Sequence, residues 1–291
     1  MLFRIRTAFF ALCLTTLFLG VVSAQDASAT PEPTPKAEKT PKPGKPPKPE
    51  KAKPAPTPDQ KIAEGKASTP EQVVETAIMV YGLGGGRVRL DQIRKTSTEK
   101  GKTSITGADG KTQQVSFERS IIRGADLYKD KIRIDQAYPE ARYSLVWADD
   151  RTFGVYNTTF FTPSNEVVNS FENNIFRGID ALLRYKEDGS KIELAGKEKD
   201  MGVEYYLIDL TDKNDHKTRF WLSIKTYRVM AAIYEDGGVK YRRKFYNYNY
   251  TQGTLNSYRT VLTANDKVIE ETEISSIAYG QKIDEDIFKN N

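Results

Sequence analysis

The sequence has little of the chemistry on which most enzymes depend, because it contains one cysteine, Cys13, and one histidine, His216. Cys13 lies inside the apolar run 8–22, so the chain after that run has no thiol for a disulfide, a thiolate metal site or a nucleophile. His216 lies in a turn-like segment between Asp215 and Lys217, and no G-x-S-x-G nucleophile is present for it to activate. These shortages predict a protein that is not an enzyme and has no catalytic residue, cofactor or metal site.

Acidic residues do not replace the missing groups in a recognisable pattern. The clusters at 209–215 and 284–286 lack the spacing of a calcium-binding loop, so we interpret them as solvated turn residues. A carboxylate pair for glycoside hydrolysis is defined by a distance in space, and the sequence selects no pair. Residues 59–291 carry 35 basic and 35 acidic side chains, so we expect no nucleic acid as a partner.

Residues 1–24 have the three zones of a secretory signal peptide. Arg4 and Arg6 precede the apolar run 8–22, and the small residues Ser23 and Ala24 follow it. This pattern predicts cleavage after Ala24 and export to the periplasm. An uncleaved membrane anchor is the alternative, because a run of about 15 apolar residues approaches the short end of a spanning helix.

Residues 25–66 form a segment rich in proline and lysine. Eleven of the fourteen prolines and seven lysines lie between Pro31 and Pro58, with few apolar side chains among them. Such a segment buries too little surface to offset the entropy of ordering, so its composition predicts a disordered linker, which resembles the Pro-Lys spacer of TonB-type proteins in composition alone. As partners for its lysines we expect an anionic membrane or a cell-wall polymer, bound weakly and in a salt-sensitive way.

The domain that we predict over residues 67–291 opens with a helix. Thr69, Pro70 and Gln72 form the pattern of a capping box with proline at the first helical position, and Gly82 ends the apolar periodicity. The glycine-rich segment 82–86 follows a helix and lacks the Lys-Ser/Thr of a phosphate-binding loop. It therefore predicts a turn.

Strand-like segments make up most of this domain, and polar turns too short for parallel crossovers separate most of them. The segment 163–186 instead has helical periodicity, with a break near Gly178. This order predicts the α+β class, with one large curved antiparallel sheet, a half-barrel of about 10–11 strands, and helices that cover the concave face. The predicted strands are 87–98, 112–123, 127–135, 141–147, 152–158, 203–210, 218–224, 228–234, 239–250, 255–263 and 268–279.

The strand 218–224 alternates most cleanly between apolar and other side chains. Phe220, Leu222 and Ile224 share one face of it. We predict that these three residues are ligand-binding and line an apolar concavity.

The aromatic and basic run 241–250 has residue types that stack on bases or sugars. Strand alternation accounts for the run without a ligand. It predicts two faces, with Arg243 and Phe245 on one and Tyr246 and Tyr248 on the other.

Several local motifs accompany the predicted order of elements over residues 69–291. They are DLT at 209–211, the hairpin 219–234, EDG at 235–237, YNY at 246–248 and IDEDIF at 283–288. Together they resemble LolA-type outer-membrane lipoprotein-sorting proteins, most sharply from residue 203 onward. The chain departs from that family in its long segment 163–200 and in its Pro-Lys linker. The resemblance implies a half-barrel whose apolar concave face, covered by helices, holds acyl chains.

The function that we expect is the binding of a lipid, or of the acyl chain of a lipoprotein, by an exported cell-envelope protein. The alternative is a non-catalytic envelope interaction or sensor module, tethered by the Pro/Lys-rich spacer, in which the concavity is a filled core. The volume of the concavity separates the two: several hundred Å³ favours a ligand, whereas close packing favours the interaction module.

Overall fold

The structure is a computed structural model that describes residues 68–107 and 109–290. These residues correspond to the domain predicted over 67–291. The predicted signal peptide, 1–24, and the predicted linker, 25–66, lie outside the described residues and stay predictions.

The domain contains one antiparallel sheet of thirteen strands, which confirms the predicted class. The strands are β1 (Thr96–Thr106), β2 (Thr112–Ile122), β3 (Lys131–Ala137), β4 (Arg142–Ala148), β5 (Arg151–Tyr156), β6 (Thr159–Phe161), β7 (Lys191–Asp200), β8 (Val203–Thr211), β9 (Lys217–Ser223), β10 (Val229–Asp236), β11 (Val239–Thr251), β12 (Thr254–Ala264) and β13 (Lys267–Tyr279).

Two meanders make up the sheet, and the first and last strands join them. Strands β1 to β6 pair in sequence order, as do β7 to β13, and β1 pairs antiparallel with β13. Strands β6 and β7 are therefore the two edges, and the sheet is open. The helical insertion that follows β6 connects one edge to the other.

Four helices accompany the sheet: α1 (Pro70–Tyr81), α2 (Gly86–Ile93), α3 (Asn165–Phe176) and α4 (Ile179–Leu183). None of the helices in 68–107 and 109–290 has the length and hydropathy required to span a bilayer. The predicted break in the insertion is confirmed, because Gly178 lies between α3 and α4 as the N-cap of α4.

Helix α1 begins as the sequence predicts. Thr69 Oγ1 accepts a hydrogen bond from the Gln72 amide at 3.2 Å, and Gln72 Oε1 accepts one from the Thr69 amide at 3.0 Å. This capping box satisfies two amides that the helix cannot pair internally. Gly82 ends the helix as its C-cap.

The predicted strand 87–98 is wrong over its first half. Helix α2 occupies that stretch, and β1 starts at Thr96. Val88 and Leu90 suggest strand alternation, yet Leu90 is buried whereas Val88 is 67% exposed. A helix of eight residues with one buried anchor shows no visible period in the sequence.

Two strands were not predicted, and they raise the count to thirteen. Both are edge strands. Strand β6 has three residues, and β7 is rich in lysine and glutamate. Short length and charged side chains keep edge strands from pairing with other chains. The same features remove the alternating apolar residues by which a strand is recognised in a sequence.

The concave face carries two hydrophobic clusters, and Phe176 packs against both. The larger one lies beneath α1 and α4 and extends over β8–β12. The smaller one lies between α3 and the strands β2–β4, where Phe171 and Ile175 contact Ile132, Ile134 and Leu145.

The convex face is covered in part by the end of the chain. A short 3₁₀ helix, Glu285–Phe288, lays Phe288 against Val146 and Phe153. Arg133 Nη1 donates to the carbonyl of Ile287 at 2.9 Å. The IDEDIF segment is therefore part of the packed domain.

Candidate functional site

A cavity of about 550 Å³ lies between α3 and the concave face of the sheet. Its floor comes from β1–β4 on one side and β11–β13 on the other, so the paired first and last strands cross its centre. The inward face of α3 contributes Val167, Phe171 and Ile175. These residues follow the helical spacing i, i+4, i+8 that was visible in the sequence.

Strand β1 lines the cavity with alternate side chains, namely Ser97, Glu99, Thr103 and Ile105. Gly101 occupies the place between Glu99 and Thr103. A Cβ atom there would lie 2.3 Å from the carbonyl oxygen of Glu273 and 2.8 Å from the Phe117 ring. Glycine is therefore required for the aromatic ring to pack across the strand.

A β-bulge on β13 changes which residues face the cavity. Lys100 pairs with Ser276 and Gly101 pairs with Ile274, so Ser275 is an extra residue, and its Oγ donates to the carbonyl of Lys100 at 2.9 Å. The bulge reverses the alternation. As a result Ile274 and Ile277 both line the cavity, although three positions separate them and a regular strand would place them on opposite faces.

One end of the cavity is a buried network of arginines around Asp180 in α4. Asp180 Oδ1 lies 3.0 Å from Arg94 Nη1, and its Oδ2 lies 2.8 Å from Arg123 Nη2. The arginine side chains are 8% and 10% exposed, whereas the aspartate is 37% exposed and lines the cavity. Burial favours the neutral acid, but the charges of Arg123 and Arg94 outweigh it and hold the pKa of Asp180 well below its usual range.

A second pair fixes the same end of the cavity. Arg184 Nη1 donates to both carboxylate oxygens of Asp130, at 3.0 and 2.7 Å, and Nη2 donates to the carbonyl of Gly124. Both side chains are about 5% exposed or less. The pair ties the segment after α4 to the loop between β2 and β3.

Further polar groups line the middle of the cavity. Glu99 and Arg119 form an ion pair at 3.1 Å across β1 and β2. Within the described residues, two buried atoms of lining side chains have no hydrogen-bond partner, Arg94 Nε and Gln136 Oε1. The cavity therefore has apolar walls interrupted by charged and polar groups.

The three residues predicted to bind a ligand lie elsewhere on the concave face. Phe220 and Leu222 are fully buried in the cluster beneath α1 and α4. Ile224 lies beyond the end of β9 and packs against the same cluster. None of the three lines the cavity. That they contact a ligand stays a prediction.

The predicted faces of the run 241–250 hold for Arg243 and Phe245, which both line the cavity. The prediction is wrong for Tyr248. Its ring contacts Tyr81 of α1, and its hydroxyl accepts from the Tyr81 hydroxyl at 3.0 Å. Asn247 has a φ of 52°, and this kink turns Tyr248 toward the concave side.

His216 lies in the turn between β8 and β9, with its side chain 51% exposed. Its Nδ1 is 3.0 Å from Asp212 Oδ2, which also accepts from the Tyr128 hydroxyl at 3.0 Å. These contacts tie the turn to the neighbouring loop. In the part of the chain that the structure describes, no cluster of three or more His, Cys, Asp or Glu side chains is arranged to hold a metal ion.

Comparison with known proteins gives the fold. No protein-family model matches the sequence, and no curated protein matches it. Two solved structures are similar. A DUF1329 family protein from Desulfovibrio piger is 17% identical, with a TM-score of 0.56 over 77% of this chain and 98% of that chain. The LolA superfamily protein NE2245 from Nitrosomonas europaea is 12% identical, with a TM-score of 0.55 over 77% and 99%.

At these identities the likeness establishes the fold alone. It covers nearly the whole of both solved chains, and it agrees with the resemblance that the sequence carries from residue 203 onward. The described part of this chain therefore has the fold of the LolA superfamily.

Proposed function

We propose that the domain binds one lipid or acylated ligand, with an acyl chain inserted into the cavity beneath α3. The observation that carries the proposal is the cavity itself, whose volume of about 550 Å³ is within the range typical of small-molecule sites. Each methylene that leaves water for such a cavity contributes about 0.8 kcal/mol.

The walls suit an acyl chain. Val167, Phe171 and Ile175 of α3 form one apolar cluster with Ile134 and Leu145 of the sheet, and this cluster lines the cavity. The lining spans β1 from Ser97 to Ile105, so the site is elongated along the strands, at about 3.3 Å per residue. An extended chain fits an elongated apolar space better than a compact ring system does.

The cellular setting of the proposal rests on the sequence. The predicted signal peptide places the protein in the periplasm, and the resemblance to lipoprotein-sorting proteins suggests the acyl chain of a lipoprotein as one cargo. The predicted linker adds a weak contact with an anionic membrane or a cell-wall polymer. No catalytic step belongs to the proposal.

The alternative interaction module required a filled concavity. Close packing holds beneath α1, where Phe220 and Leu222 are fully buried. Beneath α3, part of the helix packs on β2–β4, and the remaining space is the cavity. We include the predicted ligand contacts of Phe220, Leu222 and Ile224 as an extension of the proposal: a longer or second acyl chain reaches them only if α1 moves away from the sheet.

The test uses a pair of matched substitutions on β1. Thr103 faces the cavity, and Ser104 points to the opposite face of the sheet. Thr103→Trp places an indole in the cavity and should weaken uptake of a fluorescent fatty acid by about tenfold, equivalent to about two displaced methylenes. Ser104→Trp should bind like the wild type.

Native mass spectrometry of protein purified from its own periplasm supplies the second readout. We expect a co-purifying lipid on the wild type and on Ser104→Trp, and a reduced fraction on Thr103→Trp. A clean apo mass together with no uptake of the fluorescent fatty acid would refute the proposal.

A further inference from the structure

Arg243 stands at the end of the cavity opposite the Asp180 network. It projects from β11 into the cavity, and its side chain is only 8% exposed. No residue in the ranges 68–107 and 109–290 forms a hydrogen bond or an ion pair with its guanidinium. Its guanidinium nitrogens are open to the cavity, and a charge with so little access to water and no protein partner is costly, so its presence requires an explanation.

The other arginines that line the cavity do not share this property. Arg94 and Arg123 are paired with Asp180, and Arg119 is paired with Glu99. Each of these three arginines therefore has a carboxylate partner. The unpaired guanidinium is a feature of one position and not of the cavity as a whole.

The neighbourhood of Arg243 adds positive charge. Arg177, which is 6% exposed, stacks over the Tyr234 ring at 4.6 Å and donates to the Lys217 carbonyl at 2.9 Å. Burial raises the pKa of Tyr234, and the charges of Arg243 and Arg177 partly offset that rise. Both guanidinium groups therefore lie near this ring.

The carboxylate on the sheet nearest in register does not neutralise Arg243. Arg243 pairs with Leu262 of β12, and Leu262 pairs with Glu270 of β13, so two strand spacings, or about 10 Å, separate the backbones. Glu270 makes no ion pair with any described residue, and its side chain is partly exposed. Glu270 is thus more accessible to solvent than Arg243.

Hydroxyl groups occupy the next row of the sheet toward the centre of the cavity. Thr260, Thr272 and Thr103 lie side by side on β12, β13 and β1. The hydroxyls of Thr103 and Thr272 are 2.9 Å apart. Such hydroxyls can donate hydrogen bonds to the oxygens of an anionic group that Arg243 holds.

We propose that Arg243 binds the anionic oxygens of an amphiphile, a carboxylate or a phosphate, whose acyl chain lies in the cavity. The inference rests on the proposed function and specifies its ligand class. The ligand is an anionic lipid, and its charged end lies at the Arg243 end of the site, far from Asp180.

The experiment compares a fluorescent polyene fatty acid with its methyl ester, which has the same chain and no charge. Arg243→Met should weaken binding of the acid by about 10- to 100-fold, the value of one charge-assisted contact, and leave binding of the ester within about twofold. Arg243→Lys should restore part of the affinity for the acid. Arg242→Met, on the same strand but with its guanidinium over Trp221 on the opposite face, is the matched control and should bind both probes like the wild type.

Two further arms separate the possible sources of the anion. Oleate and phosphatidylglycerol should each displace the acid from the wild type, and inorganic phosphate alone should not, because it has no chain to bury. Glu270→Gln removes the nearest opposing carboxylate and should strengthen binding of the acid. Weaker binding of the acid to Glu270→Gln would overturn the inference, because removal of a negative charge should favour an anion at Arg243.

The outcomes distinguish this inference from the proposed function. If neither probe binds the wild type, both fail. If both probes bind and Arg243→Met weakens them equally or not at all, the anion site is wrong and the acyl cavity stands. Thermal unfolding without ligand adds a check, because loss of an unpaired buried charge should leave Tm unchanged or higher, whereas loss of a structural contact should lower it.

Discussion

Replacement of Asp180 by asparagine tests whether the arginine network holds the end of the cavity together. The substitution keeps the shape of the side chain and removes its charge. It leaves the guanidinium groups of Arg94 and Arg123, at 8% and 10% exposure, facing each other without an anion between them.

Breaking a buried ion pair from one side costs about 3–5 kcal/mol. Asp180 itself is 37% exposed to the cavity, so screening reduces the effect and we expect the lower end, about 3 kcal/mol. For a domain of this size that corresponds to a fall in Tm of about 6–12 °C.

The dependence on pH follows from the lowered pKa of Asp180. Because the folded-state pKa lies below the unfolded value of about 3.9, the stabilisation is complete above about pH 5 and is lost as the pH falls through the folded-state pKa. The difference in stability between the wild type and Asp180→Asn should therefore be constant from pH 5 to pH 8 and narrow below about pH 4.

The assay is urea unfolding followed by circular dichroism at several pH values. The matched control is Asp150→Asn, which breaks an ion pair with Lys129 of 2.6 Å between side chains more than half exposed. That change should cost less than about 1 kcal/mol. Equal effects of Asp180→Asn and Asp150→Asn would refute the reasoning, because burial would then have no influence on the cost.

Three further changes test other parts of the domain. Leu222→Ala should cost about 3–5 kcal/mol in urea unfolding and leave fatty-acid affinity unchanged, and lost affinity in the folded variant would instead support the ligand contact predicted for Leu222. Burial raises the pKa of Asp188 to about 7, so wild-type stability should fall as the pH rises from about 4 to 7, and Asp188→Asn should remove this slope in urea titrations; an unchanged slope would contradict the assignment. Deletion of 25–66 should leave Tm within about 2 °C, since the composition predicts no buried contacts there, and an unfolded truncation would show that the segment is structural.

Most of the sheet was predictable because each of these strands can be recognised from its own residues. The hairpins from Val203 to Tyr279 have alternating apolar side chains and polar turns, and the sequence places each of these strands to within a few residues. The capping box at Thr69 and the break at Gly178 are equally local. A feature that depends on a few neighbouring residues can be recognised in a sequence.

The faces of the strands were less predictable wherever the backbone departs from a regular pleat. The extra residue at Ser275 and the positive φ of Asn247 each reverse the alternation, and both lie in strands whose composition looks regular. The consequence is specific: the sequence assigned Tyr248 to the wrong face. The predicted alternation was correct where the strand itself contains no extra residue, as at Phe220 and Leu222 of β9, which pair in regular register with β8.

The location of the cavity depends on a difference between two helices that cover the same sheet. Helix α1 turns five apolar side chains inward, Val73, Val74, Ala77, Ile78 and Tyr81, and it fills the space beneath it. Helix α3 turns in Val167, Phe171 and Ile175, but the adjacent inward positions are polar, Glu166, Ser170 and Asn174, and all six line the cavity.

A helix with such a divided inward face has too little apolar volume to pack closely on the sheet, and its polar side chains lose less free energy beside an open space than against a dry core. The spacing of the polar residues in α3 therefore accounts for the cavity beneath it. The position of the cavity can be inferred from that spacing only when the structure shows which strands each helix covers. For this reason the regular apolar face of β9 predicted the core and not the cavity.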